Sequence, residues 1–540
     1  MVSAANSHPH TRPVLFFLLT ALAIAVAWGW LGAPVRLPPS PLAPGEKLYC
    51  VSYAPFRDAQ DPLVEGTKVP PAQIDEDLAL LSRYTDCVRT YSIENGLEKI
   101  PEIARRHGLK VLQGLWLSNK AEKNRLQIAT TIALAKQFPD VIRAVIVGNE
   151  VLLRGELSEP DLAATISNVK SQITEPVSYA DVWEFWLRYA ELQSAVDFVT
   201  IHILPYWEDF PLPAAVAAAH VDAIRKKVAA AIPNKEIVIG EIGWPSAGRM
   251  REGARPSPSN QARVIEDTLA LGKRENFHVN VIEAFDQPWK RWLEGAVGRY
   301  WGIFDRASQG PKFPLGGAVS DHPHWLLQAL AGILLAGIIF AGAWVGGGAG
   351  ALPALLWPRI AVLAFLPAVL FGWTIETIPV ESYSLGTWLR LLALTFVAGA
   401  APVACAAALA CGNSLPTLGS WLGGGNIRRS WLALATGGVF ALLIVLALQA
   451  ALGLVFDPRY RDIDFAPLSG AVFAYLVWSL ARPPAKGPRA MAETVAAGAL
   501  AASAVYIGFN ETLANWQAMW FCAAMIGLAF ILARVRDAPD

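Results

Sequence analysis

Apolar residues are distributed along the chain in two ways. Between about Tyr49 and Asp321 they form short runs separated by turns and charges, whereas residues 14–31 and much of the chain after Trp325 are apolar for lengths close to a membrane helix. In the middle region eight runs are short and mostly rich in β-branched residues: LYCVSYA (48–54), CVRTYS (87–92), KVLQGLW (110–116), IRAVIVG (142–148), PVSYA (176–180), DFVTIHI (197–203), EIVIG (236–240) and VNVIEAF (279–285). Such runs are expected of parallel strands covered on both faces. Amphipathic stretches lie between them, as in LEKIPEIARRHG (97–108), where Ile100, Ile103 and Ala104 share one face and Gly108 supplies the stop. Eight strand-and-helix units in about 270 residues match an α/β (β/α)8 TIM barrel. A doubly wound open sheet is the alternative. No G-x-G-x-x-G or G-K-[ST] loop follows the first run, so the nucleotide-binding form of that alternative has little support.

The long apolar runs predict eight candidate spans: 14–31, 325–345, 358–375, 388–409, 431–455, 466–481, 492–509 and 516–533. The third, sixth and seventh are the weakest by length. The first is followed by GAPVRLPPSP without a clear A-x-A site, which favours an uncleaved anchor over a signal peptide. Pro38, Pro39, Pro41 and Pro44 then form a stiff spacer. The expected organisation is an anchor (1–35), a soluble barrel (36–320) and an all-α polytopic membrane domain of seven spans (321–540). Placing the N-terminus inside puts Arg359, Arg428, Arg429, Arg482, Lys486, Arg489, Arg534 and Arg536 on the cytoplasmic side, with Arg459 and Arg461 outside among Asp457, Asp462 and Asp464. The barrel is then extracytoplasmic. GGGAG (346–350) and GGG (423–425) are expected to be loops.

Composition agrees with lipid residence, since 54% of the 540 residues are hydrophobic. With 45 basic and 45 acidic residues and no basic run, a nucleic-acid partner is not expected. The five cysteines fit no metal spacing, and no metal or organic cofactor is expected. Cys405, Cys411 and Cys522 lie in or near spans and are expected to pack as small apolar side chains. Cys50 and Cys87 could pair in an oxidising compartment, but two buried thiols are the preferred reading.

In a barrel, reactive groups sit where strands end at the carboxyl face. VIVGNE sets Asn149 beside Glu150 at the end of the fourth run, and IVIGEIGWPS places Glu241 at the end of the seventh. Two carboxyl groups facing across a cleft suit glycosidic chemistry: one protonates a leaving oxygen while the other, ionised, attacks the anomeric carbon. Asn149 would donate to a hydroxyl next to that carbon.

VGNEVL and IGEIGWPS, together with VRTYS (88–92), VDFVTIHILPYW (196–207), SPSNQA (257–262), IEAFDQPWK (282–290) and EGAVGRYWGIFD (294–305), resemble glycoside hydrolase family 17, the β-1,3-glucanase family. The resemblance covers most of residues 47–310. It implies a (β/α)8 barrel, Glu150 as general acid/base and Glu241 as nucleophile of a retaining mechanism, with carboxyl groups about 5–5.5 Å apart. Arg89 would hold the nucleophile ionised, an ordinary barrel salt bridge being the alternative. Tyr206 would orient Glu241 or stack on sugar. His202 is a structural or a site histidine. Trp207, Trp244, Trp289 and Tyr179 offer either faces for glucose or plain packing. Glu283, Asp286 and Lys290 would shape subsites, with Glu283 the nearest rival to Glu150 as acid.

The anchored barrel with its multi-span tail resembles membrane-bound bacterial relatives, of the β-(1,6)-glucan synthase-like kind, that remodel or branch β-1,3-glucan. The resemblance implies a β-glucan glucanosyltransferase in a bacterial inner membrane, with its barrel in the periplasm. It implies β-glucan as substrate and membrane lipid around the tail; the tail itself suggests, as a separate hypothesis, docking of a glucan synthase. A plain endo-β-1,3-glucanase and a non-catalytic glucan-binding or export component are the alternatives. Linkage, product architecture and oligomeric state are not legible in the spacing.

Overall fold

The computed structural model describes residues 11–347, 352–412, 418, 421, 430–481 and 490–536. Arg428, Arg429, Arg482, Lys486, Arg489, most of GGGAG and all of GGG lie outside the described residues. The chain divides into two compact units: Pro34–Ala247 with Gly253–Val319, and Met1–Ala33 with Gly248–Glu252 and Ser320–Asp540.

In the first unit eight parallel strands close into a barrel: β1 (Cys50–Ser52), β2 (Cys87–Arg89), β3 (Lys110–Leu115), β4 (Ile142–Asn149), β5 (Val177–Val182), β6 (Val199–His202), β7 (Ile237–Ile242) and β8 (Val279–Val281). All eight predicted runs contribute a strand. Because β1 pairs with both β2 and β8, the sheet has no edge and the open-sheet alternative is excluded. The runs overreach the strands, since Tyr53, Ala284 and Phe285 stay buried beyond the ladder ends. The stretch 97–108 forms a 3-10 turn (Leu97–Lys99) and a helix (Ile100–Arg106) that buries Ile100, Ile103 and Ala104, and Gly108 follows with φ 68°.

Alternation along β4 shows how the strands are covered twice. Val145 and Val147 pack outward in the large apolar core, while Ala144 and Ile146 point into the barrel with Leu112, Ala180, Cys50 and Cys87. Cys50 and Cys87 face each other across the β1–β2 pair, Cα atoms 4.4 Å apart, and form a disulfide. This corrects the preference for two thiols. The bridge spans a sequence separation of 37 residues, and in the chain-entropy picture a loop of that size contributes about 3–4 kcal/mol. A Cys50→Ala/Cys87→Ala double variant is therefore expected to lower the barrel melting temperature by roughly 10 °C, and unchanged melting would remove this contribution.

The second unit is helical. Among the described residues seven of its helices are long and apolar enough to cross a membrane: Thr11–Leu31, Trp325–Gly346, Leu356–Glu381, Leu385–Cys411, Trp431–Phe456, Met491–Glu511 and Trp516–Arg534. The sixth candidate, 466–481, is the shorter apolar helix Phe465–Leu480 of 16 residues. Close helix approach depends on small residues: a Cβ at Gly332 would lie 2.5 Å from Ala368 O, and one at Gly372 would lie 2.7 Å from Gln328 O. Two charges near predicted span ends are paired, Glu376 with His322 Nδ1 at 2.7 Å and Arg390 with Asp464. Cys405 is buried in this core, Cys522 is half-buried and Cys411 is exposed, all as free thiols.

Candidate active site

Plain alternation would aim the two rim motifs the wrong way, and a bulge in each strand corrects it. On β4 and β5, Ile146 pairs with Ser178 but the next pair is Asn149 with Ala180, so β4 carries one extra residue where Gly148 takes φ 89°. On β6 and β7, Ile201 pairs with Ile239 and His202 with Glu241, leaving Gly240 as the extra residue. Inserting one residue flips the phase of everything after it. Asn149 thereby joins Ala180, and Glu241 joins His202, on the inner face. Glycine is needed at 240 because a Cβ there would collide with Thr200 Cγ2 and sit 3.4 Å from Arg89 Nη1.

Arg89, the last residue of β2 and 1% exposed, joins these motifs. Its Nη1 donates to Gly240 O at 2.7 Å and to Glu241 Oε1 at 3.2 Å, while Nη2 donates to Asn149 Oδ1 at 2.6 Å. The same Nη2 lies 3.2 Å from His202 Nε2, which makes Nε2 an acceptor and leaves the imidazole proton on Nδ1. That proton is donated to Glu150 Oε1 at 2.8 Å. His202 thus stands between the two glutamates as a site residue. One oxygen of Glu150, one of Glu241 and a His202 ring nitrogen lie within 4.8 Å of one another. The positive charge among them comes from Arg89.

Burial pushes the Glu150 carboxyl up, but the His202 hydrogen bond, with the Arg154 and Arg89 charges, holds it below the usual carboxylate range. A lowered acid fits proton donation poorly while the His202 contact persists. Losing the His202 contact on substrate entry would leave burial, the largest influence, to raise Glu150.

Two side chains of the site escaped the sequence reading. Tyr91 Oη lies 2.9 Å from Glu241 Oε1 and 2.7 Å from Ser52 Oγ. Burial, with the Glu241 charge, pushes its phenol well up, so it remains a donor. Its spacing of two from Arg89 was the available signal. Glu294, on the short helix Arg291–Glu294, interacts electrostatically with Glu150, Glu241 and Lys290. No spacing marked it within EGAVGRYWG.

The remaining expected residues divide. Lys290 Nζ donates to buried Glu283 at 3.0 Å, and Asp286 pairs with Lys312 at 2.6 Å and accepts from Gly302 N. Trp289 is half-buried and donates to Gln287 Oε1 at 3.0 Å, and Trp207 is half-buried, stacked on Trp301 at 6.4 Å. Trp244, Tyr206 and Tyr179 are wholly buried. Trp244 donates Nε1 to Arg255 O, and Tyr206 is wedged among Trp207, Trp244 and Trp301. These three rings are covered packing rather than open sugar faces. Gln261, from SPSNQA, ties the rim by donating to Trp244 O at 2.8 Å.

Burial pushes Glu294 up to about 7, and the Glu150 and Glu241 charges add to it against Lys290; burial likewise pushes Glu283 up to about 7 against Lys290. A carboxyl whose folded value is raised favours the protonated folded form. Its contribution is present at acid pH and is lost as pH rises from the ordinary carboxylate range, about 4.3, through 7. Glu294→Gln is expected to lessen the loss of urea stability between pH 5 and 7.5. An unchanged slope in the variant would show Glu294 to be ionised throughout.

Residues 50–302 match the family model described as the BtgE/BtgC glycoside hydrolase domain. The chain is 31% identical over 271 residues to a probable beta-glucosidase btgE of Aspergillus flavus, covering 47% of this chain and 42% of the relative. It therefore spans less than half the length of that relative. It is 25% identical over 275 residues to a glucan 1,3-beta-glucosidase of Saccharomyces cerevisiae, covering 46% of this chain and 87% of the relative. Among solved structures, a glycoside hydrolase family 17 beta-1,3-glucanosyltransferase from Rhizomucor miehei is 24% identical with a TM-score of 0.44, covering 49% of this chain and 95% of that one.

Proposed function

We propose, from the match of residues 50–302 to the BtgE/BtgC glycoside hydrolase domain, that the chain is a retaining β-glucan glucanosyltransferase acting on β-1,3-glucan. The observation that carries the reading is the close setting of two unlike carboxyl groups. Glu150 and Glu241 each present an oxygen within 4.8 Å of the other, in keeping with the short separation of retaining pairs, about 5–5.5 Å. The Glu241 side chain is 6% exposed and bonded by Arg89, whereas that of Glu150 is 24% exposed.

In the proposed reaction Glu241 attacks the anomeric carbon while Glu150 gives its proton to the glycosidic oxygen, releasing the reducing-end portion as an alcohol. Glu150, now ionised, takes the proton of an incoming hydroxyl, that hydroxyl oxygen bonds to the anomeric carbon, and Glu241 departs as carboxylate. Asn149, held by Arg89, faces the neighbouring sugar hydroxyl. Subsite contacts are assigned to Glu283, Asp286, Trp289 and Lys290.

The incoming hydroxyl decides the product. A sugar hydroxyl gives transfer, including β-1,6 linkages or branches, and water gives hydrolysis; the glucosidase names of the relatives favour an endo-β-1,3-glucanase as the second reading. The helices able to cross a membrane favour transfer on glucan emerging at a membrane, with the barrel on the extracytoplasmic side, where the Cys50–Cys87 bridge can form. A bacterial inner membrane is part of this proposal, although the curated relatives named above are fungal. The tail is further proposed to dock a glucan synthase; a membrane pull-down that recovers no glucosyltransferase would remove that part.

The test is product analysis of the full chain in detergent with linear β-1,3-glucan oligosaccharides. Products longer than the donor, or a new linkage, are expected. Shorter reducing fragments alone would make the protein a glucanase.

A further inference from the structure

The turn that carries Glu150 is held by two side chains of the neighbouring strand that the proposed reaction leaves unused. Glu150 has φ 51°, a conformation that L-residues adopt only where the surroundings hold them. Its N–H donates to Ala180 O at 2.8 Å, and the chain turns back so that Arg154 N donates to Glu150 O at 2.9 Å. Two amides of this turn reach β5: Leu152 N donates to Tyr179 Oη at 3.0 Å and Leu153 N donates to Asp181 Oδ2 at 3.4 Å. The Tyr179 hydroxyl donates to that same Oδ2, and Val182 N donates to Oδ1 at 2.8 Å. Tyr179 and Asp181 are both wholly buried.

The charges around Glu150 come from every neighbouring element. His202 on β6, Arg154 in the turn and Arg89 on β2 favour its ionised form. Glu241 on β7, Glu294 on the short helix after β8 and Asp181 on β5 oppose it. Asp181 differs from the other two carboxyls in being tied to the backbone that carries Glu150.

We propose that Asp181 is a positioning residue for the acid/base: through Tyr179 it fixes the turn 150–154, and its negative charge offsets Arg89 and Arg154, so that Glu150, once substrate displaces the His202 contact, keeps its proton to higher pH. Burial pushes the Asp181 carboxyl itself up to about 6 against the Tyr179 hydrogen bond, and the Glu150 charge adds to the push. A charge–charge interaction acts equally on both partners. The inference rests on Glu150 being the acid/base.

The experiment is the pH profile of kcat, which reports the substrate-bound enzyme, on linear β-1,3-glucan for the full chain, with Asp181→Asn, Tyr179→Phe and Glu150→Gln beside it and folding checked by circular dichroism. Asp181→Asn keeps an acceptor and removes the charge, so the alkaline limb is expected to move to lower pH by about half a unit or more. Tyr179→Phe frees Leu152 N–H and is expected to lower kcat roughly tenfold with KM little changed. A folded Asp181→Asn whose alkaline limb coincides with that of the wild type overturns the charge effect. Should that variant not fold, Tyr179→Phe with wild-type kcat and wild-type limb overturns the proposal alone. A Glu150→Gln variant of undiminished activity would instead overturn the acid/base assignment beneath it.

Discussion

Glu241→Gln is expected to lower turnover of linear β-1,3-glucan by roughly 10⁴-fold or more, with the barrel still folded. The amide fits the same space and still accepts hydrogen bonds from Arg89 and Tyr91, but it has no charge with which to form the glycosyl intermediate. Glu241→Gly with added azide separates a nucleophile from a merely structural acid. Azide entering where the carboxylate stood gives an α-glycosyl azide, whereas azide rescue of Glu150→Gly attacks the intermediate from the opposite face and gives the β product. Identical azide products from both variants would mean that the two roles are wrongly assigned.

Arg89→Ala is the second large effect, expected in stability and activity together. The guanidinium is 1% exposed and holds Gly240 O, Glu241 Oε1 and Asn149 Oδ1 while approaching His202. Removing it leaves a buried carboxylate without its cation, which costs about 3–5 kcal/mol. It also releases three side chains whose mutual placement defines the site. Arg89→Lys keeps the charge but cannot span these acceptors at once, so it should restore much of the stability and little of kcat. Equal recovery of both by lysine would show that only charge is needed at this position.

The barrel was legible because parallel strands covered on both faces must be apolar, and every apolar run between residues 48 and 285 that was assigned as a strand joins the closed sheet. The motif glutamates were legible from glycine and carboxylate at strand ends. The reason they face inward was not. Period-two alternation sends Asn149 and Glu241 outward, and only the pairing with β5 and β6 reveals that Gly148 and Gly240 mark bulges. The Cys50–Cys87 bridge was hidden for the same reason, because pairing depends on strand register, which no local pattern records. Aromatic residues misled where they are most buried: Trp244 and Tyr206 sit in the right motifs, yet their rings are enclosed by protein. Asp181 lay unnoticed because a single acid at a strand end has no distinguishing neighbours in sequence; its partner Tyr179 becomes visible only when Leu152 and Leu153 fold back over β5.

The close setting of Glu150 and Glu241 makes one demand on the reaction that no mutation is needed to test. Following the anomeric configuration of the first-formed product by proton NMR, before mutarotation, with the wild-type full chain and a β-1,3-glucan oligosaccharide, should show the β anomer or a new β linkage. An α product formed first would contradict the double displacement and with it the roles given to both glutamates.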